Sequence, residues 1–89
     1  SEPENAEAWY NLGVTYGELK RYDDAIEATR QALRINPEDA RAWEGLYIIY
    51  VLSGNKTAAE DAVRELRRLD PEAAVIVRMV GKIAPLFMG

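Results

Sequence analysis

Neither cysteine nor histidine occurs in the 89 residues. Their absence excludes disulfides, thiolate chemistry, zinc sites built on cysteine or histidine, and acid–base catalysis by imidazole. The lack of cysteine fits a reducing compartment and favours a cytoplasmic location, but the residues themselves specify none. Long hydrophobic runs are missing too. The most apolar stretch, residues 74–89, is too short to span a bilayer and carries Arg78 and Lys82. No segment reads as a signal peptide. No glycine-rich phosphate loop and no metal-ligand spacing occur, so no cofactor and no metal are expected.

What is present is ordinary in amount and unusual in arrangement. The length predicts one small domain over residues 1–89, with a thin core. Apolar residues make up 48% and charged residues 29%, as in soluble globular chains. The net charge is −4. Five Lys/Arg stand against ten Asp/Glu up to Asn55, and six against five from Lys56 onward, so the acidity lies in the first part.

Pro3, Pro37 and Pro71 recur every 34 residues, each followed by glutamate. Trp9/Trp43, Leu12/Leu46, Tyr16/Tyr50 and Ala25/Ala59 keep the same spacing. Aligning residues 6–39 with 40–73 gives 11 identities in 34 positions. A third unit begins at Ala74 and covers about one helix, residues 74–84. Residues 1–5 look like the tail of an earlier unit, which suggests a piece of a longer repeat array. A fixed period of this size marks stacked structural units that cannot bury their apolar faces alone.

Each unit reads as two helices. Ala8, Trp9, Leu12 and Tyr16 sit at helical spacing, as do Ile26, Ala32 and Leu33. Lys20-Arg21-Tyr22 and Ser53-Gly54-Asn55-Lys56 read as turns. Thr57-Ala58-Ala59-Glu60 has the form of a capping box. Asn36-Pro37 and Asp70-Pro71 each pair a capping residue with proline at a first helical turn. Acidic residues are expected at helix starts (Asp23, Asp24, Glu38, Glu60, Asp61, Glu72) and basic ones at helix ends (Lys20, Arg21, Arg34, Arg67, Arg68). The predicted fold is all-α: five helices in a superhelical stack of antiparallel pairs, the last helix unpaired.

Trp-x2-Leu-Gly-x2-Tyr, then alanine, alanine and proline at this period resembles the tetratricopeptide repeat. The matching residues are Trp9, Leu12, Gly13, Tyr16, Ala25, Ala32 and Pro37 in the first unit. In the second they are Trp43, Leu46, Tyr50, Ala59 and Pro71. Thr29 and Val63 depart from the family's aromatic, Tyr47 from its small residue and Leu66 from its alanine. Gly13 and Ala25 are expected to meet where two helices cross, since bulk there would push the axes apart. Tyr47 opposite Ala59 predicts either a wider second pair or a tyrosine turned outward.

The resemblance implies protein binding on a concave face lined by the first helix of each unit. It places groove positions at Glu7, Tyr10, Val14 and Gly17; at Arg41, Glu44, Ile48 and Val51; and at Val75, Arg78, Lys82 and Pro85. The expected groove residues are Tyr10, Val14, Arg41, Glu44, Ile48, Val51, Arg78 and Lys82. They form an apolar centre with acid on one side and base toward the C-terminal end, suited to an apolar anchor with an acidic flank. An internal Glu44–Arg78 ion pair is the plainer alternative. A carboxylate clamp of the co-chaperone kind would need Lys, Arg or Asn at Tyr10, Val14, Gly45, Val75 or Met79, and none stands there.

The C-terminal segment is a second candidate surface. Ile76, Val80 and Ile83 are expected to pack on the preceding helix, leaving Val77, Gly81 and Ala84 facing a missing partner. Pro85 is expected to end or kink the helix. Leu86, Phe87 and Met88 would fold back or enter a second chain. Self-association through Val77, Gly81, Ala84, Leu86, Phe87 and Met88, truncation of a longer array, and a membrane-surface helix all remain open. The narrow basic face and the absence of tryptophan there argue against the membrane. Adjacent Asp23 and Asp24 point about 100° apart on a helix and make no catalytic pair, and no enzyme is expected. Arg64, Arg67 and Arg68 are interleaved with Glu60, Asp61 and Glu65, which with the acidic net charge argues against nucleic acid.

Overall fold

The computed structural model describes residues 5–88, apart from the side chains of Ala84, Pro85, Phe87 and Met88. Pro3, first of the proline series, and the rest of residues 1–4 lie outside the described residues. Five helices follow in order: α1 (Ala6–Glu18), α2 (Tyr22–Ile35), α3 (Ala40–Ser53), α4 (Lys56–Leu69) and α5 (Pro71–Met88). There is no strand among the described residues. Helix α1 packs on α2 and α3 on α4, while α3 also touches α1 and α5. The odd-numbered helices therefore form one layer, with α2 and α4 behind it, as the all-α stack requires.

Short polar side chains start four of the helices. Asn5 accepts from the Ala8 N–H at 3.0 Å, Asp39 from Arg41 at 3.0 Å, Asn55 from Ala58 at 3.1 Å and Asp70 from Ala73 at 3.2 Å. Each satisfies a backbone donor that the first helical turn leaves open, worth about 1 kcal/mol. Asn55 is thus the cap of α4, and the expected capping box at Thr57 does not form: Thr57 already lies inside the helix. Asp70-Pro71 opens α5 as expected, whereas Asn36-Pro37 does not open α3. Asn36 ends α2, Pro37 and Glu38 turn, and α3 begins three residues after Pro37. Asp39 can take the cap because the Trp43 indole N–H donates to the Pro37 carbonyl at 2.9 Å and holds the turn against α3. Gly54 ends α3 with φ +86°, a left-handed conformation that a side chain would strain.

Asp23, Asp24 and Glu72 occupy first turns, and Arg34, Arg67 and Arg68 last turns, where each complements the helix dipole. Glu38 lies in the turn before α3, Glu60 and Asp61 lie deeper in α4, and Lys20 and Arg21 fall between helices. Those five do not hold the terminal positions expected of them.

The core joins α2 to α5. Leu46, Tyr50, Ala59, Ala62, Val63, Leu66, Ala74 and Val77 form one buried cluster with Leu33, Ala42 and Tyr47. Gly13 lies buried against α2, where an added Cβ would run into the Thr29 hydroxyl and lie 3.4 Å from the Ala25 carbonyl. The bare backbone lets α1 approach α2 closely. Thr29 is buried and donates to the Ala25 carbonyl at 2.8 Å, so its polarity is satisfied.

Tyr47 is buried, and its ring lies over Gly81 of α5. It does not turn outward to solvent. Burial raises its hydroxyl pKa above the ordinary tyrosine value, opposed by nearby Arg78 and reinforced by Glu60. This contact reverses the orientation expected for α5. Val77 is 2% exposed, while Ile76, Val80 and Ile83 are 62%, 45% and 48% exposed. The small strip of Ala74, Val77 and Gly81 faces inward because Tyr47 needs a residue without a side chain opposite it. The bulky stripe is left outside. Helix α5 also runs past Pro85 to Met88, so that proline does not end it. Proline takes one bond out of the helical ladder, and the helix continues beyond the gap.

Candidate functional site

A cleft of about 410 Å³ opens between α1 and α3, with Thr29 of α2 at its floor. Helical spacing sends Tyr10, Val14, Gly17 and Glu18 to it from α1, and Arg41, Glu44, Gly45, Ile48 and Leu52 from α3. Its size falls within the range of small ligand pockets. The walls are mostly apolar, and the charges sit at the rim.

The cleft has an identifiable origin. Gly17 contributes no side chain, and a Cβ added there would meet nothing within 4 Å, while Thr29 is short where the repeat resemblance calls for an aromatic. One unit further on, Tyr47 stands at the position of Gly13 and fills the corresponding space against Gly81. A Cβ added at Gly45 would come no nearer than 3.9 Å to the Tyr10 ring, so this wall is open too.

At one end of the cleft Arg41 is fixed from three sides. It donates to Glu7 at 2.8 Å, lies 3.5 Å from an Asp39 oxygen, and stacks over the Tyr10 ring at 4.5 Å. Its hydrogen bonds to the Glu7 and Asp39 carboxylates hold its guanidinium in the charged form. Glu7 and Arg41 occupy the same position in successive units, so the pair links the two units across the face. At an exposed site solvent screens it, and it adds little to stability. Glu18 and Glu44, by contrast, have no ion-pair partner among the described residues.

Of the residues expected in a groove, Tyr10, Val14, Arg41, Glu44 and Ile48 come together here. Val51 packs against the core cluster and does not line the cleft. Arg78 bonds Glu60 of α4 at 3.0 Å, so the alternative pairing with Glu44 does not form. Lys82 is exposed on α5, away from the cleft lining. Among the residues expected to self-associate, Val77 is buried and Gly81 lies beneath Tyr47, so neither faces a missing partner. Leu86 is exposed, and the side chains of Ala84, Phe87 and Met88 lie outside those described. Gly13, Glu18, Thr29, Gly45, Ile49 and Leu52 line the cleft without having been singled out for it. The short Thr29 where the repeat resemblance calls for an aromatic is the sequence signal that could have found them.

Among the described residues no group of three or more His, Cys, Asp or Glu could hold a metal ion. No described helix is long and apolar enough to cross a membrane.

A stack of helix hairpins with a cleft between successive first helices defines a helical-repeat protein. Residues 6–39, which span α1, α2 and the turn before α3, match the family model of the tetratricopeptide repeat. Over this segment the chain is similar to a tetratricopeptide repeat, and the five helices are consistent with the kind of stack such repeats build. Tetratricopeptide repeats are generally protein–protein interaction modules and typically non-catalytic. Among curated proteins none matches the chain.

Proposed function

We propose that this chain is a non-catalytic module that holds a peptide or protein segment on its concave face, with the α1–α3 cleft as the anchoring point. The observation that carries this reading is an open, mostly apolar cleft rimmed by charge. The units at 6–39 and 40–73, with the last helix, act as one domain in this reading. Tyr10, Val14, Glu44 and Ile48 supply the contact, and Arg41 shapes one end. Arg78 and Lys82 lie at the far end of the face and would meet only a longer ligand.

Ile48→Glu tests it. Affinity for a partner isolated with the intact chain should fall at least tenfold while helical content stays unchanged. Val14→Glu brings the same charge from α1 at an already exposed position and should act alike. Unchanged affinity in both variants would remove the cleft from the binding surface.

A second reading rests on α5. Ile76, Val80 and Ile83 form an exposed apolar stripe at helical spacing, suited to burial against another copy. Light scattering over a concentration series should then show a dimer that Val80→Glu abolishes while helical content stays unchanged. A wild-type monomer at hundreds of micromolar would end this reading.

A further inference from the structure

We propose that the α1–α3 cleft selects one bulky apolar side chain, aromatic or leucine, carried next to a lysine or arginine of the partner segment. This rests on the groove reading and gives its ligand a chemistry. The apolar part follows from the missing bulk at Gly17, Thr29 and Gly45 between α1 and α3, where the corresponding space one unit on is filled by the Tyr47 ring. The protein fills that space itself between α3 and α5 and leaves it to a ligand between α1 and α3. The Thr29 hydroxyl is already bonded to the Ala25 carbonyl and offers the ligand little.

The basic part follows from the charge left at the rim. Among the described residues Arg41 is the one cation lining the cleft, and Glu7 and Asp39 neutralise it. Glu18 on α1 and Glu44 on α3 line the same cleft without an ion-pair partner among the described residues. The uncompensated charge is therefore negative, the reverse of the acidic flank that Arg78 and Lys82 suggested from sequence. Arg78 is engaged by Glu60, and neither cation lines the cleft. An acidic rim attracts a basic flank, repels an acidic one, and does so less as salt screens it.

The experiment is a selection of random twelve-residue peptides displayed on phage against the whole 89-residue chain at low salt. Recovered peptides are then measured by fluorescence anisotropy. Recovered sequences should share a bulky apolar residue adjacent to Lys or Arg. The double variant Glu18→Lys with Glu44→Lys should weaken them five- to tenfold and remove most of the salt dependence. Thr29→Phe, which restores the missing bulk, should abolish binding. If that variant does not fold, Gly45→Leu builds into the same space from α3. Peptides that lose affinity with Ile48→Glu yet carry acidic flanks, or that tolerate a filled cleft, would overturn this proposal and leave the groove reading standing. Recovery of no binding peptide would overturn both. Recovery of peptides insensitive to Ile48→Glu and Val14→Glu would do the same.

Discussion

Leu66→Ala should lower the thermal midpoint of the chain by at least about 8 °C. Leu66 is 0% exposed and, with Val63, is the largest side chain so completely enclosed. It stands where the repeat resemblance calls for alanine, and it belongs to the cluster that joins α3, α4 and α5. Truncating a buried leucine removes its transfer free energy and leaves a cavity, together about 2–5 kcal/mol. In a domain of this size each kcal/mol moves the midpoint by about 4–8 °C. Net stabilities of small domains are only about 5–15 kcal/mol, so this one truncation uses a large share. Circular dichroism melts of the two proteins decide the matter. A shift under about 5 °C would mean that the second hairpin closes around alanine and that Leu66 is not central to its packing.

Val77→Glu should release α5 from the stack at a cost of about 3 kcal/mol or more. Val77 is 2% exposed and lies in the same cluster as Leu66. The substitution loses the burial of a valine, about 1.5–3 kcal/mol, and desolvates a carboxylate with no cation assigned to it. Because α5 packs on α3 and α4, it can leave without dismantling the first hairpin. Hydrogen exchange should therefore show fast amides in α5 and protected ones in α1 and α2. Val80→Glu is the control, three residues away and largely exposed, and should stay within about 0.5 kcal/mol of wild type. Equal damage from both variants would mean that the inward face of α5 is wrongly assigned. The comparison also separates the two roles of this helix, since only the outer position can report on self-association without unfolding.

The helices were legible because their signals are local. Apolar residues at spacings of three and four, the αL glycine at Gly54 and the Asp70-Pro71 pair all act within one or two turns. The 34-residue repeat added the order in which the helices stack. Caps were read less well where two candidates compete within a few residues. Asn55 outcompeted Thr57, and Asp39 outcompeted Asn36, because the position of the neighbouring turn chose between equivalent side chains.

Part of the binding face could also be read in advance, since Tyr10, Val14, Arg41, Glu44 and Ile48 sit at repeating positions of first helices. The depth of the cleft could not. It depends on Gly17, Thr29 and Gly45 from three different helices and on the direction taken by Tyr47.

The sequence by itself determined an all-α repeat, the number of helices and their pairing, because periodicity, capping residues and proline spacing are written along the chain. Tertiary structure alone decided which face of α5 turns inward, where Arg78 finds its acid, and that the open space lies between α1 and α3. Those outcomes depend on one side chain, Tyr47, fitting against a glycine 34 positions away. A fit between surfaces so distant along the chain exists only once the helices have met.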